Sequence, residues 1–132
     1  MDMHVELPGG MKVVARFAGF TVVTDQPPKD GGEGSAPSPF ALFQASLATC
    51  AGYYVLAFCR QRELCAEGIE LFQRTVPDPA TGLVGEIELE IRVPPEFPER
   101  YHEALVRAAN QCTVKKHMEH PPRFTTHTIV RS

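Results

Sequence analysis

The stretch Ser38-Pro-Phe-Ala-Leu-Phe-Gln-Ala-Ser-Leu-Ala-Thr-Cys50-Ala-Gly-Tyr-Tyr-Val-Leu-Ala-Phe-Cys59 decides the fold. Ser38 is suited to cap the first free N–H groups of a helix. Pro39 takes the first helical position, where its missing N–H costs nothing. No charged residue follows until Arg60, and a helix continuing to about Leu64 would be roughly 40 Å long. Its apolar residues (Phe40, Leu42, Phe43, Leu47, Tyr53, Val55, Leu56, Phe58) are not confined to one stripe, so the sequence predicts that little of it faces water. A run of about 20 apolar residues would also span a membrane. Gln44, Ser46, Thr49, Gly52 and two tyrosines, with no second run of this kind, favour a core helix instead. Cys50 sits in the middle, flanked by Ala45, Ser46, Ala48, Thr49, Ala51 and Gly52. Such small neighbours let another chain or a substrate come close.

Upstream, residues 4–7 and 11–24 are rich in β-branched and aromatic side chains and are broken by Pro8-Gly9-Gly10 and Gly19. They read as two or three short antiparallel strands, too small a sheet to bury both faces without the helix or a second subunit. Residues 25–37 have a linker's composition and read as a mobile loop feeding the helix. Their glycines lack the Gly-Lys-Ser/Thr ending of a phosphate-binding loop.

Downstream, Ile69 to Val76 reads as a strand and Asp78-Pro-Ala-Thr-Gly82 as hairpin turn chemistry. In the next strand Ile87, Leu89, Ile91 and Val93 alternate with Glu86, Glu88, Glu90 and Arg92, so the glutamates form a solvated face rather than a metal or catalytic cluster. Pro98 can open a second helix in which Tyr101, Leu105, Ala108 and Cys112 fall on one stripe. A short turn follows over Thr113 to Glu119, and a helix start beside the Cys112 thiol would lower its pKa. Phe124 to Val130 reads as a last strand. The element order predicts an α+β fold with a mostly antiparallel sheet, one domain over residues 1–132.

Thirteen Lys and Arg against sixteen Asp and Glu, with no basic block, argue against nucleic acid and against an anionic membrane surface. The N-terminal Met-Asp-Met-His-Val-Glu lacks the basic and apolar regions of a secretory signal, so the expected location is cytoplasmic. There, four cysteines read as thiols, redox centres or metal ligands rather than structural disulfides. Cys59 and Cys65 cannot reach Cys50 along one helix; only Cys112, on a separate element, could. Two such thiols in an apolar site would suit a thiolate that attacks peroxide oxygen, becomes a sulfenic acid and condenses with its neighbour. A buried cysteine is otherwise simply a small hydrophobe. Cys112, His117, His120 and His127 have poor zinc spacing, and surface histidines are the simpler reading, so neither metal nor cofactor is expected.

Pro39-Phe-Ala-Leu-Phe-Gln-Ala-Ser-Leu-Ala-Thr-Cys50, preceded by a Gly-rich loop and followed by Cys112-Thr-Val-Lys-Lys, resembles the OsmC/Ohr family, and the OsmC-like branch more than Ohr proper. The resemblance implies an intertwined homodimer of α+β subunits with long helices at its centre and active sites at the interface. It implies reduction of organic hydroperoxides, with Cys50 the attacking thiol, Cys112 the resolving one and Arg16 the arginine that holds the thiolate and polarises the peroxide. The expected partners are a second copy, an apolar organic hydroperoxide and an external dithiol reductant. Phe40 stands where family peroxidases commonly carry an acidic residue, and Thr113 where proline is usual. The Phe40 difference motivates an alternative: a non-catalytic dimer that binds a small apolar ligand or senses oxidants.

Overall fold

The computed structural model describes residues 1–131 and has the expected α+β architecture, with antiparallel sheets and one long helix. Two compact units form, residues 1–46 and the chain from Leu47 onward.

In the first unit β1 (His4–Gly9), β2 (Lys12–Phe17) and β3 (Phe20–Thr24) make an antiparallel meander in the order 1-2-3. Ala18 and Gly19 both have positive φ (48° and 81°), the primed two-residue turn whose twist matches its flanking strands. Register places Val5, Ala15 and Val22 on one face and His4, Arg16 and Thr21 on the other.

The loop after β3 is not the loose tether that its composition predicts. Asp25, 1% exposed, accepts hydrogen bonds from the backbone N–H groups of Gln26, Glu33 and Ser35 and from the Ser35 hydroxyl, the last at 2.6 Å. Those donors hold its carboxyl at about 2, the Ser35 hydroxyl most strongly. The Asp25 N–H in turn reaches Pro37 O at 3.2 Å. At Gly32 a Cβ would stand 1.9 Å from Gln26 O, so no other residue fits inside this ring of bonds. A short 3-10 turn, Pro28–Asp30, completes the loop.

α1 spans Pro39–Gln61, three residues short of the expected end. The Ala41 N–H donates to Ser38 Oγ at 3.2 Å, the capping bond foreseen for Ser38. At the other end Glu63 turns into the left-handed region (φ 54°) and Leu64 N–H closes on Cys59 O.

In the second unit β4 (Glu70–Pro77) and β5 (Val84–Arg92) form a hairpin, followed by a 3-10 turn (Glu99–Tyr101), α2 (His102–Ala109) and α3 (Thr113–Glu119). The core joins Ala51, Val55, Phe58 and Cys59 of α1 to Phe97, Leu105 and Ala109, with Leu71, Leu89 and Ile91 of the hairpin packed against it. α1 is long and apolar enough to cross a membrane by length and composition, but this stripe sits in a protein core.

Two expectations are corrected. α1 is not covered all round: Tyr53 and Leu56 are 62% and 58% exposed, because a single hairpin and one short helix shield only one side of it. Phe124–Val130 forms no strand; the segment is irregular and Phe124, Ile129 and Val130 are exposed. A strand exists only through its ladder, and within the described residues these backbone groups find no partner strand.

Candidate active site

Cys50 and Cys112 come together. Cys112 is the N-cap of α3; its sulfur accepts the Lys115 N–H at 3.4 Å and lies 3.9 Å from Leu47 O, one turn of α1 before Cys50. Cys112 is buried and Cys50 partly so. Both are free thiols.

The N-cap geometry divides the free amides at the head of α3. Cys112 itself takes the third, from Lys115, and shares that of Val114 with a neighbour, which alone faces the Thr113 amide. That neighbour is Cys50. Burial is the strongest influence on Cys50 and pushes its thiol up. The Val114 amide, the Cys112 thiol and the Thr113 amide act the other way and together leave it below the ordinary thiol range. Cys112 moves in the opposite direction: burial pushes it up, the Lys115 amide and more weakly the Val114 amide oppose this, and the hydrogen bond and charge of Cys50 add to the rise. The pair is polarised, with Cys50 the better thiolate and Cys112 the retained S–H. The sequence alone places the helix-start effect on Cys112. It is felt at both thiols: the Lys115 and Val114 amides also lower Cys112, but burial and the neighbouring Cys50 outweigh them there, whereas at Cys50 the Val114 amide, the Cys112 thiol and the Thr113 amide together outweigh burial.

Tyr54 was not foreseen. It follows Cys50 by one helical turn, and its Oη is 2.9 Å from Thr113 Oγ1, beside an amide that serves the thiol. The spacing of four from Cys50 was the available signal. Asp25 was also missed; a carboxylate just before a glycine-rich loop is the residue type that gathers backbone N–H groups.

Arg16 belongs to the N-terminal sheet. Its Nε donates to Glu6 at 3.0 Å and its Nη1 to Thr21 Oγ1 at 3.2 Å, both on the same sheet face. Cys59 is fully buried and its thiol is pushed up by burial and by the charge of Cys65. On the hairpin, Glu88 pairs with Arg74 at 3.0 Å and Glu90 with Arg92, as befits a solvated face. His117 Nδ1 meets Thr113 O, four residues back along α3, at 2.7 Å. No group of three or more His, Cys, Asp or Glu side chains converges on a metal site among the described residues.

The model of the OsmC-like protein family matches residues 32–127, which include the capped start of α1, both thiols and everything between them. This chain belongs to the OsmC-like protein family. Solved structures carry the same fold. A Psychrobacter arcticus protein provisionally described as an osmotic stress induced and detoxification response protein has a TM-score of 0.74 at 24% identity, covering 86% of this chain and 85% of that one. An OsmC like protein from Mycoplasma pneumoniae gives 0.70 at 14%, covering 89% and 86%. The organic hydroperoxide resistance protein OhrB of Bacillus subtilis gives 0.52 at 20%, covering 89% and 90%. No functionally curated protein sequence matches the chain. These identities carry the fold alone.

Proposed function

We propose that this OsmC-like protein is a thiol-dependent peroxidase that reduces apolar organic hydroperoxides in oxidative-stress defence. The observation that carries the reading is the polarised pair, in which two backbone amides and the Cys112 thiol favour a Cys50 thiolate. The thiolate attacks the terminal peroxide oxygen and the O–O bond breaks; the alkoxide takes up a proton and leaves as the alcohol, with Cys50 as sulfenic acid. The Cys112 sulfur then attacks that sulfur, its S–H proton leaves with the hydroxyl as water, and a Cys50–Cys112 disulfide forms. An external dithiol restores both thiols by exchange. The resemblance gives Arg16 the role of the cation that steadies the thiolate and polarises the peroxide.

Homodimerisation is part of the same reading. The exposed side of α1 at Tyr53 and Leu56, the open sheet edges and the unladdered segment around Phe124 are apolar surfaces that a second copy would cover. A cytoplasmic site of action fits chemistry that needs reduced thiols.

Phe40 favours a second reading. It stacks on Phe43 with ring centroids 5.6 Å apart and is half exposed, an apolar group at the head of α1 where an acidic residue is common in the family's peroxidases. A non-catalytic dimer that binds an apolar ligand or senses oxidants would suit that substitution.

One experiment separates them. After one equivalent of an organic hydroperoxide, intact mass should show rapid loss of two hydrogens in the wild type and in neither Cys50→Ser nor Cys112→Ser. Full hydroperoxide turnover by Cys50→Ser would overturn the peroxidase reading. An unreactive wild type would move the conclusion to the binding or sensing dimer.

A further inference from the structure

We propose that Thr113 and Tyr54 form a proton relay to the departing alkoxide, with the Thr113 hydroxyl as the donor and Tyr54 acting through it; the inference rests on the peroxidase reading and names the acid of that same site. Attack on the peroxide leaves the electron pair of the broken O–O bond on an alkoxide, and a proton must reach that oxygen as it departs. The Cys112 S–H is not the source, because its proton leaves with the sulfenic hydroxyl as water in the next step. Lys115 Nζ is turned to Asn110 Oδ1 at 3.3 Å, and the His117 ring to the Thr113 carbonyl at 2.7 Å. Among the described residues, the groups that act on the two thiols are backbone amides and the thiols themselves, none of them a carboxylic acid or an imidazole.

Two observations carry the relay. First, Thr113 is the residue whose N–H faces the Cys50 sulfur, so its hydroxyl borders the same site, and it is exposed to a ligand arriving from solvent. Proline, which a first helical position readily accepts, would supply neither the N–H nor the hydroxyl. Second, that hydroxyl is bonded at 2.9 Å to Tyr54 Oη, and Tyr54 stands one turn of α1 beyond Cys50. With the phenol donating, the threonine's own hydrogen is free to point at an oxygen beside Cys50. The Tyr54 ring is braced edge-on by Tyr53, with centroids 5.1 Å apart. Tyr54 also lines a cleft of about 350 Å³ with Ala104 and Ala108 of α2, room enough for water to return a proton.

The step balances. The Cys50 thiolate bonds to the terminal oxygen and is oxidised to the sulfenic acid, while the peroxide is reduced and its O–O pair goes to the alkoxide. Thr113 Oγ1 passes its proton to that alkoxide, Tyr54 Oη passes its own to Thr113, and the tyrosinate takes one from water. A phenol is a much stronger acid than an alkyl alcohol, so the net transfer runs downhill.

The test compares two oxidants that differ in what departs. Cumene hydroperoxide releases an alkoxide, which needs a proton; peracetic acid releases acetate, which does not. The second-order rate constant for oxidation of Cys50 is measured with each, in the wild type, Tyr54→Phe, Thr113→Val and Thr113→Ser. Thr113→Val keeps the N–H and loses the hydroxyl. A lower thiolate fraction or a looser turn slows both oxidants alike, so the hydroperoxide-to-peracid ratio isolates the proton donor. That ratio is expected to fall about tenfold or more in Tyr54→Phe and in Thr113→Val, the scale of a positioned acid that water replaces in part. Thr113→Ser should keep most of it. Tyr54→Phe/Thr113→Val should fall no further than Thr113→Val alone, because the two groups act in series. A ratio unchanged in either single variant overturns the relay and leaves the peroxidase reading intact. A wild-type Cys50 that cumene hydroperoxide does not oxidise overturns both.

Discussion

Tyr54 Oη stands 2.9 Å from Thr113 Oγ1, a bond that ties the helix carrying Cys50 to the turn whose amides face it. Tyr54→Phe removes the bond and little else. Stability should fall by about 0.5–1.5 kcal/mol, the usual net worth of one hydrogen bond. The more telling readout is Cys50: with the turn less firmly held, its alkylation midpoint should move upward in pH. An unmoved midpoint would mean that packing alone holds α3 against α1.

Cys50 should be alkylated as a thiolate at lower pH than a free cysteine. Its folded pKa is depressed, so the reactive fraction rises earlier with pH and its rate levels off sooner. Cys112→Ala removes one of the donors that favours the anion, so the same curve should shift to higher pH. A wild-type midpoint at or above the ordinary thiol value would contradict the polarised pair.

Asp25 predicts an acid-sensitive loop. Its carboxyl titrates at about 2 in the folded chain against an ordinary 3.8, so the unfolded chain takes up the proton first as pH falls. The stability it contributes is complete above about pH 4 and is lost between there and about pH 2. Asp25→Asn should lower Tm at neutral pH and flatten that acid limb. Parallel acid profiles for variant and wild type would remove Asp25 from the account.

The turn between β2 and β3 offers a gain. Ala18 holds φ 48°, a region that costs an L-residue with an ordinary side chain about 1–2 kcal/mol. Ala18→Asn recreates the Asn-Gly pair favoured at such turns and should stabilise the chain by about 0.5–1 kcal/mol in urea unfolding.

The sequence makes the helices and hairpins legible because their signals are local. Ser38-Pro39 marks the start of α1 to the residue, and the β5 alternation places Leu89 and Ile91 against the core. The thiol pair is half legible. That only Cys112 could reach Cys50 follows from helix geometry, but which thiol ends up lowered depends on how Cys112 caps α3 and how deeply each sulfur is buried, details of φ, ψ and side-chain direction with no pattern in composition. Asp25 shows the same limit: its loop reads as a mobile linker by content, and only the convergence of donors from Gln26, Glu33 and Ser35 on one carboxylate shows that it is built. Phe124–Val130 fails for the opposite reason. Its residues favour a strand, but pairing is not local and among the described residues it has no partner strand.

The double duty of the Cys112 sulfur bears on how the chain should be dissected. That atom closes the first turn of a helix and also stands against a second thiol, so its removal confounds two losses. Exchange of sulfur for oxygen separates them. Serine is among the preferred N-cap residues and can receive the Lys115 amide, yet it cannot form a disulfide. Cys112→Ser therefore isolates the redox role with the architecture of the turn retained, whereas Cys112→Ala reports on both together.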